Sequence, residues 1–403
     1  MEMSPVLAIG IIITVGFFGG LLVRRFGLPM ITGYIIVGIL LSPSLLNVIP
    51  EATIGNLDFI INICLGIIAF MIGSSLRLES LRKVWRSIAW ITLFQSLGAW
   101  FLITLLLPLL GHFILNIEGA TFWQVYFPMA FVIGAVSCAT APAAIMAIVS
   151  EYRAKGPLTT SLLAVVTLDD AIAITAVAFA LAISQSLVGG LGLSMFQMLG
   201  VPSAQIAGSV GLGLAFGFLL MHMTRLARTR ELLLVIAFGM IMLCVGIADL
   251  LGISSILACM MAGFFLVNKG KRLEIFHVIE GIKDAIFVLL FVLAGLHFNL
   301  RIMQTTVVLA GLIVLLRCTG KYVGTRIGAE ISHAPGAIKK YLGIALLPKA
   351  GVSVGLILLA EHAFPLFGAI MLNAVLASVI INELLAPPLV KYAIFKAREA
   401  VSA

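Results

Sequence analysis

Two adjacent carboxylates, Asp169 and Asp170, sit near the middle of an uninterrupted apolar stretch that runs from Leu158 to Leu187. The stretch is long enough to cross a bilayer as a helix. A charge at that depth costs several kcal/mol on insertion scales, about 2.5–3.5 for an aspartate at the helix centre, and two like charges side by side cost more. Chains keep such groups where ions or protons pass. The pair therefore demands both a membrane setting and neighbours that compensate or neutralise it.

The rest of the chain meets the first demand. It is 62% hydrophobic and 10% charged, with a mean hydropathy of +1.21, outside the range of soluble domains. Thirteen apolar runs predict transmembrane helices at about 4–23, 28–46, 56–76, 87–110, 122–149, 157–187, 203–223, 231–249, 252–268, 281–297, 303–325, 338–361 and 366–391. The expected fold is all-α and polytopic. No soluble domain fits between or after the runs, so a single transmembrane domain over 1–403 is expected, without a soluble regulatory domain. The first segment, MEMSP, lacks the basic stretch of a cleavable signal, and the first run reads as a retained helix.

A net charge of +8 raises the question of a nucleic-acid partner, and the placement of charge answers it. Of the 25 Lys and Arg residues, three lie inside spans and one, Arg301, in one alternate set of loops. All the others fall in the opposite set. That asymmetry is the positive-inside pattern, and it predicts an external N-terminus and a cytoplasmic C-terminus. No nucleic-acid patch is indicated. The three in-span bases are Arg317, Lys321 and Lys349, natural compensators for Asp169 and Asp170. The five cysteines show neither metal-ligand spacing nor a disulfide pattern, and no cofactor is expected.

An internal repeat is visible. Span two carries Gly27 and Gly38 at the same separation as Gly252 and Gly263 in span nine; Gly73 at the end of span three corresponds to Gly295 at the end of span ten. Partners seven spans apart cross the membrane in opposite directions. This predicts an inverted-topology repeat, about 4–187 and 231–391, with 203–223 as the linking helix. Span five is interrupted by Cys138-Ala139-Thr140-Ala141-Pro142, and span twelve, seven spans later, by Leu347-Pro348-Lys349-Ala350-Gly351. Pro142 and Pro348 each lack an N–H and disfavour helix at the preceding residue. Backbone groups freed at that depth must line a cavity or bind something. Two crossing broken helices are expected, with Pro142, Pro348 and Gly351 at the breaks and Lys349 offsetting helix-end charge.

These segments resemble a known family. LPMITGYIIVGILLSP, ATAPAAIMAIVSEYRAKGPLTTSLLAVVTLDDAIAI, RCTGKYVGTRIGA and YLGIALLPKAGVSVGL are similar to the motifs of bacterial monovalent cation:proton antiporters of the sodium/proton and potassium-efflux type. The resemblance covers nearly the whole chain. It implies a homodimer in the bacterial inner membrane, with a six-helix core moving against a dimerisation domain. It also implies that Asp170 alternately holds cation and proton, and that Asp169 pairs with a base. Thr140 and Ala141 would coordinate through hydroxyl and carbonyl oxygens, so that Asp170 and Thr140 hold the metal cation. Arg317 matches the base position, one turn before Lys321, and an ion pair between Arg317 and Asp169 in at least one conformation is expected.

The function so implied is exchange of Na⁺, with K⁺ or Li⁺ as alternatives, for H⁺ by alternating access, with no covalent step and hence no enzyme. Lipid is the other partner. Two departures bear on stoichiometry: an arginine does not release a proton as a lysine does, and Lys349 stands where relatives often carry an uncharged or acidic side chain. Because the Asp-Asp pair accompanies electrogenic exchange in the family, electrogenic exchange is expected. Two other readings stay open: a sodium-coupled organic-anion symporter, which would use Lys349, and the pore subunit of a gated potassium efflux system, whose gate would need another polypeptide. A membrane-embedded protease is disfavoured, since adjacent aspartates on one helix diverge by roughly 100°.

Overall fold

The computed structural model describes residues 3–26, 30–77, 85–115, 121–189, 195–227, 229–270, 272–349 and 352–400. Gly27 and Gly351, singled out above, lie outside them. Among the described residues the chain is helical throughout, without strands. The helices are α1 (Pro5–Arg24), α2 (Met30–Leu41), α3 (Glu51–Gly55), α4 (Asp58–Ser75), α5 (Trp85–Ile114), α6 (Phe127–Val136), α7 (Pro142–Glu151), α8 (Pro157–Val188) and α9 (Met195–Met223). They continue with α10 (Arg230–Leu250), α11 (Ser255–Lys269), α12 (Glu274–Glu280), α13 (Lys283–Leu296), α14 (Leu300–Ile331), α15 (Gly336–Ala345), α16 (Val352–Ala363) and α17 (Gly368–Lys396).

Eight of these helices are long and apolar enough to span a membrane alone. The other five expected spans are the shorter helices α2, α11 and α13 and the interrupted pairs α6/α7 and α15/α16. The α6/α7 span opens with one turn of π-helix, Phe122–Tyr126. Span ten is α13, and the short helix α12, with Glu274, His277 and Glu280, precedes it. The protein is a multi-pass integral membrane protein.

The chain divides into two compact units. The first comprises 1–21, 33–81 and 191–297, and the second 22–32, 82–190 and 298–403. Each unit therefore holds three spans from each of the two expected halves, and the first also holds α9.

In the first unit the repeat shows itself as reciprocal close packing. A Cβ on Gly38 of α2 would lie 2.7 Å from Gly295 Cα on α13, and one on Gly295 would lie 2.8 Å from Gly38 Cα. The other two helices do the same: a Cβ on Gly73 of α4 would lie 1.9 Å from Met260 O, and one on Gly263 of α11 would lie 2.1 Å from Phe70 O. Span two thus touches span ten and span three touches span nine. This crossed pairing is what a two-fold relation between inverted halves requires. Real Cβ atoms do not approach backbone this closely, so only glycine lets these helices meet.

In the second unit the equivalent spans meet directly. The longest interface joins α5 to α14, where a Cβ on Gly98 would lie 2.5 Å from Gly320 O and one on Gly320 would lie 2.5 Å from Gly98 O. Beside it, Leu158, Leu162, Val165 and Val166 of α8 share an apolar core with Ile338, Leu342 and Ala345 of α15.

Candidate functional site

Both broken helices fall in the second unit, and they cross. α6 ends at Val136 and α7 starts at Pro142; α15 ends at Ala345 and α16 starts at Val352. The non-helical segments between them touch: the Ala141 N–H donates to Pro348 O at 3.0 Å. Carbonyls freed by the two interruptions converge on one side chain from α14. Arg317 Nε donates to Ser137 O at 3.0 Å, Nη1 to Leu347 O at 2.5 Å, and Nη2 to Ala139 O at 2.7 Å and Pro348 O at 3.3 Å. Helix C-termini carry partial negative charge. A fully buried guanidinium, with donors fanned in one plane, satisfies both ends at once.

One turn further along α14, Lys321 lies at the level of the aspartates. Its Nζ donates to Asp169 Oδ2 at 2.9 Å and to Thr140 Oγ1 at 2.6 Å. Both members of this ion pair are fully buried. In this conformation Lys321, rather than the expected Arg317, pairs with Asp169. The two bases share a face of α14, but the broken-helix carbonyls take the planar fork and the carboxylate takes the compact ammonium.

Asp169 is saturated. Besides Lys321, Oδ2 accepts a short hydrogen bond from the Thr140 hydroxyl, and Oδ1 accepts from Gln95 Nε2, also short, and from Ser96 Oγ at 2.9 Å. Four donors fill the four acceptor positions of a carboxylate. Thr140 accordingly faces Asp169 in this structure, where the sequence reading put it with Asp170.

Asp170 is the opposite case. The residue is 5% exposed, and its Oδ1 is buried with no hydrogen-bond partner among the described residues. An uncompensated buried carboxylate oxygen is expensive unless a positive species neutralises it. A monovalent cation or a proton meets that need with oxygen as the ligand atom.

Lys349 is fully buried at the second break, where Nζ reaches Ser137 Oγ at 3.4 Å and Ser378 Oγ at 3.2 Å. Those are long contacts to neutral hydroxyls, and no carboxylate among the described residues meets this ammonium within the ion-pair distance.

Several residues at the site escaped the sequence reading. Gln95 and Ser96 form a polar pair inside the apolar run of α5, a signal visible in the sequence. Glu383 of α17 is 1% exposed, and neither carboxylate oxygen has a hydrogen-bond partner among the described residues. As a lone charge within span thirteen it could have been singled out by the same rule that picked out the aspartates.

An all-helical inverted repeat with two crossed interruptions, closing on buried and partly unsatisfied charge, defines a secondary transporter of ions. Residues 11–393 match the family model described as "Sodium/hydrogen exchanger, transmembrane", and the chain belongs to that family. It is a transporter that exchanges a cation for protons, not an enzyme. The fold matches two solved structures of the sodium proton antiporter MjNhaP1 from Methanocaldococcus jannaschii. One, at pH 8, has a TM-score of 0.78 and 16% identity; the other, an electron-microscopy map, has a TM-score of 0.75 and 15% identity. Each alignment covers 98% of both chains. No curated protein matches the chain.

Proposed function

We propose that this protein exchanges Na⁺ for protons at Asp170 by alternating access, the second unit presenting its site to one side of the membrane and then the other. The observation that carries the reading is the contrast between neighbours: Asp169 has every acceptor position filled, whereas Asp170 keeps a buried, partnerless oxygen. Cation and proton then compete for Asp170. The site changes sides only when one of them neutralises it, because an empty carboxylate is too costly to move through the low-dielectric interior.

The partner of Asp169 bears on stoichiometry. Lys321 can release its proton, which Arg317 cannot. Cation entry at Asp170 that weakens the Lys321–Asp169 pair therefore frees a second proton, giving two protons per cation and net movement of charge. Lys349 is enclosed by Ser137 and Ser378 with no exposed surface, which removes the support it gave to organic-anion symport. The basic loops favour an external N-terminus and a cytoplasmic C-terminus in a bacterial inner membrane. The family resemblance favours a homodimer.

The test is exchange in proteoliposomes with Na⁺, K⁺ and Li⁺ gradients in turn, with and without an imposed inside-negative potential. Na⁺-driven proton movement that responds to the potential, and that is abolished in Asp170→Asn, is expected. Equal rates with all three ions, or rates indifferent to the potential, would contradict the selectivity or the stoichiometry. Undiminished exchange in Asp170→Asn would remove the site.

A further inference from the structure

The helix that carries Asp169 and Asp170 is not capped by its own neighbourhood. The residue preceding α8 is Gly156, which has no side chain to offer, and α8 begins with Pro157. The first N–H groups of a helix need acceptors from elsewhere. They find them in a residue more than two hundred positions away. Glu399 Oε1 accepts from the Leu158 N–H at 2.7 Å, and Oε2 accepts from the Thr159 N–H at 2.7 Å and the Thr159 hydroxyl at 2.8 Å. Its backbone carbonyl accepts from the Lys155 N–H at 3.0 Å. The carboxylate also meets the positive end of the α8 dipole.

The surroundings are built around this contact. After α17, Arg398 takes a left-handed conformation with φ of 59°, and the Glu399 N–H returns to Ile394 O at 3.2 Å. That turn aims Glu399 back towards α8, where it is buried. A Cβ on residue 156 would lie 2.3 Å from Glu399 Cδ, so glycine at that position makes room for the carboxylate. Apolar contacts fasten the same junction: Ile148 and Ala154 pack with Val390 and Ile394, and the rings of Tyr152 and Phe395 lie 5.2 Å apart. The segment thus gripped, Tyr152 to Gly156, joins α7 of the first broken helix to α8.

We propose that Glu399 is a positioning residue for ion exchange, a latch that ties the start of α8 to the end of α17. With it in place, the first broken helix, the aspartate helix and the last helix move as one piece, and Asp170 keeps its place relative to the crossing. The inference rests on Asp170 being the exchange site. A helix transmits a shift of its first turn along its whole length, and displacements near 1 Å can cost up to about a hundredfold in a positioned reaction.

The experiment measures Na⁺-driven proton movement in proteoliposomes against Na⁺ concentration, together with thermal melting of each variant. Glu399→Gln keeps the size of the side chain but replaces one acceptor with a donor facing an N–H. It should raise the half-saturating Na⁺ concentration about tenfold, with Glu399→Asp intermediate because the charge remains. Thr159→Val removes only the hydroxyl contact and should raise it about threefold. Where Glu399→Gln folds, it decides; where it does not, Thr159→Val decides. A half-saturation within about twofold of the wild type, with only melting lowered, would show a cap that stabilises the fold and nothing more, and would overturn the proposal. Asp170→Asn, run alongside, separates the two readings: exchange in that variant defeats the site assignment whatever Glu399 does.

Discussion

In the first unit, the buried polar side chains among the described residues are all hydroxyls: Ser42, Thr53, Ser209, Thr224 and Ser255. In the second they include Asp169, Asp170, Arg317, Lys321, Lys349, Glu383 and Glu399. Both units are built from matched inverted halves and both use glycine to bring backbones together. What separates them is how they use the space so gained. The first closes α2 on α13 and α4 on α11 with nothing between them but backbone. The second spends its closest contact, α5 on α14, on holding Arg317 and Lys321 against two interrupted helices and a pair of aspartates. Among the described residues, spans are interrupted in the second unit alone, and that unit carries the proposed site.

The comparison can be broken most forcefully at the buried ion pair. Lys321→Ala leaves Asp169 without its counter-charge and should cost about 3–5 kcal/mol. Combining it with Asp169→Asn should restore much of that loss, because the uncompensated charge is gone. Thermal melts of the single and double variants in detergent decide this: a double variant no more stable than Lys321→Ala would mean the pair does not form. A weaker perturbation belongs to the other unit. Gly73→Ala pushes a methyl group into Met260 O. It should cost about 1–3 kcal/mol as the helices spread, while the half-saturating Na⁺ concentration of the folded protein stays at the wild-type value. A change in that concentration would show that the first unit shares in ion binding.

Arg317→Lys tests whether geometry or charge matters at the crossing. The charge stays, but a single ammonium cannot reach carbonyls on both broken helices. A loss of about 1–2 kcal/mol and slower exchange are expected; wild-type turnover would show that the fork is dispensable. The smallest effect should come from Lys349→Gln, whose contacts are two long hydrogen bonds to serines. Stability should change by less than about 1 kcal/mol, with the response of exchange to membrane potential retained. Loss of that response would transfer the second proton from Lys321 to Lys349.

The sequence reading located the thirteen spans because hydropathy is summed over some twenty residues and small errors average out. It found both broken helices because proline at mid-span leaves few alternatives. It named Arg317 as the partner of Asp169, the place Lys321 takes in this structure. The two lie on one face four residues apart, and the choice depends on the height at which α6 and α15 end, which only the packed structure fixes. Gln95 and Ser96 meet Asp169 from α5 and Thr140 from the break between α6 and α7, contacts that carry no local pattern. Glu399 is further from legibility still: an acid beyond the last apolar run reads as a solvated tail until Arg398 turns it onto α8.

The central claim is that Asp170 exchanges ions while Asp169 is held. It is tested most directly by proton release when Na⁺ is added to the purified, weakly buffered protein, compared between Asp170→Asn and Asp169→Asn. The account predicts that Na⁺-dependent proton release disappears in Asp170→Asn and persists, in reduced amount, in Asp169→Asn. Release at the wild-type level from Asp170→Asn, with none from Asp169→Asn, would contradict it and move the site to the neighbouring carboxylate.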